Sequence, residues 1–287
     1  MKVLVTGAGG MLGSDLVAVL AGFSGCTVTA ARRADLDLLS AAEVRSAVPG
    51  HDVVINAAAW TNVDGAETAE DAATALNGDA VASLASACAA AGARLVHVST
   101  DYVLSGSASS PYPESAEPAP INAYGRSKLV GERAVLSLLP SSGYVVRTAW
   151  LYGEHGRNFA ATMLRLAASR ETVNVVDDQR GQPTWSLELA RQLVALALAP
   201  DAPAGVYHGT ASGETTWHGF AQAIFELNGL DPARVRPIPS SEFPTPAARP
   251  AYSVLGHDRW AVAGLAPMAE WRTALAAAVA AGAVRAG

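Results

Sequence analysis

The chain has 287 residues, of which 50% are hydrophobic and 16% charged, a globular composition with length enough for a large core in one domain or for a domain with a smaller lobe. The net charge of −6 gives no general attraction to nucleic acid or to an anionic membrane, and no apolar run reaches bilayer length. Two cysteines, Cys26 and Cys88, cannot build a disulfide framework, and no apolar leader follows Met1-Lys2, so a cytoplasmic protein is expected.

The first element is the apolar, β-rich run Lys2–Thr6. It stops at Gly7-Ala8-Gly9-Gly10, after which Met11, Leu12, Leu16, Val19 and Leu20 recur at helical spacing. Strand, glycine turn and helix in that order make a dinucleotide-type phosphate site. Gly7 permits the turn, Gly10 lets a pyrophosphate approach the backbone, and Gly13 lets the helix pack close to the strand. Free N–H groups at the helix start would hold the phosphates. The spacing Gly7-x-x-Gly10-x-x-Gly13 is one residue wider than the usual fingerprint.

Cys26–Ala30 reads as a second strand. An NAD site places an acid about 20 residues after the glycines to bind the ribose. Arg32 and Arg33 stand there instead and suit a 2′-phosphate, so NADPH is favoured, with NADH possible. Asp37-Leu38 follows, then the capping box Ser40-x-x-Glu43.

Asp52–Ala59 is a buried strand ending in small residues, which leave room for a ligand at the sheet's carboxyl edge. A helix is expected over 77–91 and a strand over 94–100, leading into Asp101-Tyr102-Val103 and a Ser- and Pro-rich loop to Pro120. Ile121–Leu139 is helical and carries Tyr124-Gly125-Arg126-Ser127-Lys128; 143–148 is another strand. Strands alternating with helices argue an α/β fold with a doubly wound, Rossmann-type parallel sheet, and residues 1–150 form the cofactor domain.

Residues 151–287 read as a smaller C-terminal α/β substrate lobe, interleaved with the end of the sheet. Helices are expected over 158–169, 185–199 and 216–227, and strands over 173–176 and 205–208. The six prolines of 232–250 demand loop or edge strand, and 260–284 reads as mostly helical.

Tyr124 and Lys128 are four apart and share one helix face. Free tyrosine titrates near pH ~10. A nearby ammonium is expected to lower that value and to tune Tyr124 as a general acid or base. Thr100, at a strand's carboxyl end, can donate a hydroxyl hydrogen bond to a substrate carbonyl. The six histidines show no metal-ligand spacing, so no metal site is expected.

With these residues in place, the chain resembles the extended short-chain dehydrogenase/reductases and, within them, the dTDP-4-dehydrorhamnose reductase family. The likeness runs nearly end to end. It rests on Gly7–Gly13, Asn56–Asp64, Ser99-Thr100-Asp101-Tyr102-Val103, Asn122–Lys128, Arg147–Trp150, Asn158-Phe159, Asp178–Thr184, Phe243–Pro246 and Arg249–Leu255. The resemblance implies reduction of the C4 keto group of a dTDP-linked 4-keto-6-deoxy sugar, dTDP-4-dehydro-L-rhamnose, to dTDP-L-rhamnose with NADPH. It places Gly10, Met11 and Leu12 on the pyrophosphate, Asp37 and Leu38 on the adenine side, and Ala59, Trp60 and Thr61 on the middle of the cofactor. Lys128 would hold the nicotinamide ribose and Tyr124 would protonate the sugar oxygen that Thr100 orients. Asp101 and Trp150 would contact the sugar, with Asn158, Arg249 and the loop 182–184 on the nucleotide. Arg249 has the fork that matches a diphosphate. Some members of the family dimerise through Mg²⁺ held by glutamates, one at the position of Asp15, so a homodimer is possible.

Two alternatives remain. One is a reductase of another dTDP-4-keto-6-deoxy sugar, since such enzymes share these motifs. The other is a non-catalytic regulatory protein binding NADP or a nucleotide sugar, which the intact Thr100, Tyr124 and Lys128 disfavour. Related dehydratases carry Glu where Tyr102 stands, which argues against dehydration.

Overall fold

The structure, a computed structural model, describes residues 1–285. Strand β1 (Lys2–Thr6) runs into helix α1 (Met11–Ala21), whose Leu12, Leu16 and Leu20 are buried at helical spacing. Strand β2 (Thr27–Ala31) leads to α2 (Ala41–Ala47), opened by the Ser40 hydroxyl accepting from the Glu43 N–H at 3.3 Å. Next come β3 (Val53–Asn56), the short helices α3 (Val63–Ala66) and α4 (Glu70–Thr74), a π turn over Ala75–Asp79, and α5 (Ala80–Ala91). Strand β4 (Arg94–Thr100), helix α6 (Ala123–Leu138) and strand β5 (Gly143–Thr148) follow, with Asn122 Oδ1 capping α6 at the Gly125 N–H.

Beyond residue 148 the strands shorten. In order come β6 (Leu151–Tyr152), α7 (Phe159–Ser169), β7 (Val173–Val176), β8 (Arg180–Gly181), β9 (Thr184–Trp185) and α8 (Ser186–Leu198). Then come β10 (Gly205–His208), β11 (Thr215–Thr216), α9 (Trp217–Leu227), β12 (Val235–Ile238), α10 (Asp258–Val262) and α11 (Trp271–Ala280).

Six strands make one parallel sheet in the order β10-β5-β4-β3-β1-β2. The chain leaves β1 toward β2 and returns on the other side at β3. The glycine turn therefore sits at the point where strand order reverses, where ligands bind in such sheets. Leu12, Leu16, Leu189 and Leu193 cover one face, and Val44, Leu84, Cys88 and Val135 cover the other. The sheet is wound on both sides, as the strand–helix alternation predicts. Helix α8 and strand β10 come from the second half of the chain yet complete this layer.

The rest of the second half has its own core, built on Tyr152, Trp185, Phe220, Phe225 and Trp271. Its strands pair only two by two: β6 with β9, β7 with β12, and β8 with β11. The stretch 260–284 holds the end of one helix and a second helix, with a break between them. Gly264 takes φ +70 and ends α10, Pro267 follows, and α11 starts only at Trp271. Ala-rich composition hides that break. Among the described residues no helix is long and apolar enough to cross a membrane.

Candidate active site

A cavity of about 1320 Å³ opens along the carboxyl edge of the sheet. It starts at the glycine turn. Gly7 has φ +71, and a Cβ at Gly13 would lie 2.1 Å from the Gly7 carbonyl oxygen, so strand, turn and helix fit only without side chains there. Gly10 stands at the start of α1, and no side chain caps its first turn, which leaves N–H groups for an anion.

Every residue expected to hold the cofactor lines this cavity: Gly7, Gly10, Met11, Leu12, Arg32, Asp37, Leu38, Ala59, Trp60, Thr61, Tyr124 and Lys128. Arg33 joins them. The Arg32 stem packs 3.6 Å from where a Gly9 Cβ would stand, so the guanidinium side chain covers the turn. The loop 59–61 is fixed from behind. Asn77, fully buried in the π turn, accepts from the Trp60 N–H at 2.8 Å and donates to its carbonyl at 3.1 Å. The same Nδ2 donates to Ser127 Oγ at 2.9 Å, tying the loop to α6. Sequence reasoning missed Asn77 because a π turn inside an Ala-rich helical stretch leaves no periodic mark.

At the other end, α6 presents Tyr124 and Lys128, and β4 ends in Thr100 and Asp101. The Thr100 hydroxyl accepts from the Tyr102 N–H at 3.2 Å and donates to Asp101 Oδ1 at 3.0 Å. Burial pushes the Tyr124 phenol well above its ordinary range, Asp101 adds to the rise, and the Thr100 hydroxyl pulls it down. The expectation that Lys128 lowers the Tyr124 pKa is therefore corrected. The Lys128 amine donates to the Val98 carbonyl at 2.7 Å and lies 3.3 Å from His97 Nε2, and burial pushes it down to about 8. Tyr124 is kept protonated, as a proton donor must be. Asp101 is 2% exposed, its Oδ2 has no hydrogen-bond partner, and burial pushes its carboxyl up to about 6.

Trp150 follows β5 in the left-handed region at φ +48, unusual for so bulky a residue. One face of its indole stacks on Trp217 (3.6 Å between centroids, 11° between planes), so only the rest of the ring is left for a ligand. Gly181 lies so close that a Cβ there would sit 2.5 Å from Trp150 Cε2.

The expected nucleotide contacts of the second lobe are elsewhere. Asn158 and Arg249 do not line the cavity. Asn158 caps α7, accepting from the Ala161 N–H at 2.9 Å and donating to the Gly153 carbonyl at 2.9 Å. Arg249 lies over the Tyr102 ring, pairs with Asp64 at 2.9 Å and donates to the Ala247 carbonyl. Gln182 and Thr184 are buried and bonded within the lobe. Instead, Arg157 and Trp217 reach the cavity from this side. Neither carries a local signal: one is a loop cation, the other an aromatic at a helix start. Asp15 is also structural. It accepts from Ser186 Oγ at 2.5 Å, tying α1 to α8, and burial raises its carboxyl. Among the described residues no three His, Cys, Asp or Glu side chains are grouped to hold a metal ion.

The model of the RmlD substrate binding domain matches residues 1–284. The chain belongs to this family. It is 54% identical over 277 residues to a dTDP-4-dehydrorhamnose reductase of Streptomyces griseus, covering 95% of this chain and 91% of the relative. It is 53% identical over 274 residues to a dTDP-4-keto-6-deoxy-D-glucose reductase of Streptomyces niveus, covering 95% and 94%. Among solved structures, a dTDP-4-dehydrorhamnose reductase of Bacillus anthracis in complex with NADP superposes with a TM-score of 0.90 at 35% identity, covering 98% of this chain and 99% of that one. The chain and that solved structure thus share the fold over nearly their whole length, and not the glycine turn alone.

Proposed function

We propose that this chain is an NADPH-dependent reductase of the C4 keto group of dTDP-4-dehydro-L-rhamnose, forming dTDP-L-rhamnose. The observation that carries this reading is one cavity with a glycine phosphate cradle at one end and Thr100, Tyr124 and Lys128 at the other. The residues fit a dinucleotide. The Gly7–Gly13 cradle has no room for a Cβ at Gly13, the first turn of α1 is uncapped, and Arg32 and Arg33 lie beyond it. Gly10, Met11 and Leu12 would hold the pyrophosphate, Arg32 and Arg33 the 2′-phosphate, Asp37 and Leu38 the adenine side, and Ala59, Trp60 and Thr61 the middle. When bound, the cofactor supplies the hydride.

The rest of the chemistry belongs to the chain. Lys128 grips the ribose beside the reacting ring. Thr100 orients the C4 oxygen, and Tyr124, protonated by its buried setting, gives that oxygen its proton as the alcohol forms. Asp101, with an unpartnered Oδ2, accepts from a sugar hydroxyl. Trp150 packs beside the sugar. Arg157 takes the diphosphate role expected of Arg249, since it is the cation that the second lobe contributes to the cavity wall.

The likeness to the Streptomyces niveus enzyme favours a second reading, a reductase of another dTDP-4-keto-6-deoxy sugar. A turnover panel separates them. NADPH consumption is followed with dTDP-4-dehydro-L-rhamnose, with dTDP-4-keto-6-deoxy-D-glucose and with UDP analogues. Highest kcat/KM with the first supports the leading reading, and highest with the second selects the alternative. No reduction of any 4-keto sugar removes both.

A further inference from the structure

A run of buried polar side chains crosses the sheet beneath the cavity. Thr6 on β1 donates its hydroxyl hydrogen to Asn56 Oδ1 on β3 at 2.7 Å, and the Ala58 N–H donates to the same oxygen at 3.1 Å. Two donors on that oxygen fix the amide. Its NH₂ must therefore be the group 3.0 Å from His97 Nδ1. His97, fully buried on β4, is an acceptor at Nδ1, and as a neutral ring it carries its hydrogen on Nε2. That nitrogen lies 3.3 Å from the Lys128 amine. Gly131 on α6 lies beside the ring, and its missing Cβ lets the Asn77 carbonyl oxygen approach, to 2.3 Å from where that Cβ would stand.

An N–H aimed at an ammonium repels it, whereas the same N–H aimed at a neutral amine donates to its lone pair. We infer that His97, its tautomer set by Asn56, is a positioning residue whose Nε2–H opposes the charged form of Lys128 and favours the neutral amine. The inference rests on the reductase reading only for its catalytic consequence. Other groups around the amine act in known directions. Burial lowers the Lys128 pKa, and Glu132 on α6 raises it, although Glu132 is itself held by Arg147 on β5 at 2.8 and 3.0 Å. Tyr124 stays neutral on the same face. The chain has only two lysines, Lys2 and Lys128, against 18 arginines. An arginine in place of Lys128 would be a permanent cation.

The small number of lysines makes the test direct. In the full chain without cofactor, ¹⁵N NMR of the imidazoles reads the His97 tautomer, and ¹³C-labelled lysine gives two signals, one exposed and one buried. The expected result is hydrogen on Nε2 and a buried lysine titrating near pH 8. His97→Leu, which removes the opposing N–H, raises that titration by about one pH unit, a tenfold gain in proton affinity. His97→Gln can accept from Asn56 and donate toward Lys128, and leaves it in place. In turnover, the alkaline limb of kcat follows the Lys128 titration in each variant while KM for the sugar holds. Hydrogen on Nδ1 in the unmutated chain overturns the inference without any variant. So does an unchanged lysine titration in a folded His97→Leu protein. If no 4-keto sugar is reduced, the functional reading falls, and the NMR titration still decides the role of His97.

Discussion

The two halves of the molecule use polar side chains differently. In the parallel-sheet half, strands of four to seven residues pair backbone to backbone, and the polar residues at the carboxyl end of β4 stay available. Thr100 and Asp101 lie on the cavity, and Asp101 keeps an unpartnered oxygen. In the second lobe three ribbons have two paired strands each, and two of the three are only two residues long. So little backbone pairing leaves many buried amides for side chains to satisfy. Gln182 and Thr184 are consumed that way, while Asn158 caps α7 and Arg249 pairs with Asp64. These polar residues of the second lobe are held by the fold, whereas Thr100 and Asp101 at the end of β4 face the cavity.

The sharpest way to break this contrast is at Tyr124. Tyr124→Phe removes a proton donor from the sheet half but no hydrogen bond that holds the fold. It should lower kcat by roughly 10²–10⁴-fold, with thermal stability and NADPH binding nearly unchanged. Fluorescence titration of NADPH beside a turnover assay checks both. Near-wild-type kcat would move Tyr124 out of the proton-transfer role.

Gln182 should show the reverse. Its Nε2 donates to the Leu255 carbonyl at 3.1 Å, and its Oε1 accepts from the Leu255 N–H at 2.8 Å and from Thr210 at 2.9 Å. Gln182→Ala leaves the Leu255 N–H and carbonyl unpaired, which should cost about 2–4 kcal/mol in urea unfolding, while Thr210 keeps His257 Nε2 at 2.8 Å. KM for the sugar nucleotide should stay close to wild type at temperatures where the variant is folded. A raised KM with intact stability would return Gln182 to the binding site.

This split also explains what could be read in advance. The glycine turn and the Tyr124–Lys128 pair were legible because strand, turn and helix impose periods of two and 3.6 that place them. Arg32 followed from its distance beyond the turn, and Asp37 from the family resemblance alone. The π turn holding Asn77 has nearly the same apolar pattern as a plain helix, so it left no trace. Two-residue strands have no period at all, so β6, β8, β9 and β11 were invisible, and with them the bonds that occupy Gln182 and Thr184. The left-handed backbone of Trp150 depends on Gly181 and Trp217, distant in sequence, which no local pattern encodes. Lys128 lines the cavity as expected, but burial, and not its charge, sets the direction of the Tyr124 shift.

The sheet half should also respond more to pH. His97 and His208 are both buried there, with pKa values pushed below the ordinary range by burial, His208 to about 3. Their folded values lie below the unfolded one, so the stability they contribute is complete above pH ~6.5 and is lost as pH falls, by up to ~1.4 kcal/mol per unit for each. Asp101 works in the other direction. Its folded value, about 6, lies above the unfolded one, so part of the loss is recovered as pH falls through it. The net expectation is a loss of about 2 kcal/mol between pH 7 and 5.5 in urea unfolding, about two-thirds of it absent in His208→Gln. A flat profile would mean that these histidines are open to water.

The smallest effect is expected at Asn158, where the two uses of a polar group are most easily confused. Its side chain accepts from the Ala161 N–H and donates to the Gly153 carbonyl, so both ends of the amide are engaged before any ligand arrives. Its neighbour Arg157 carries the charge that lies on the cavity. Asn158→Ala should therefore cost about 1 kcal/mol of stability, as a lost helix cap does, and leave KM for the nucleotide sugar within about twofold. Arg157→Ala should leave stability within about 0.5 kcal/mol, as surface changes do, and raise that KM about tenfold, as a lost charged hydrogen bond does. Paired measurement of unfolding and KM on both variants is decisive. If Asn158→Ala raises KM and Arg157→Ala does not, the helix cap touches the nucleotide after all, and polar groups in the short-ribbon lobe serve binding as directly as those on the sheet.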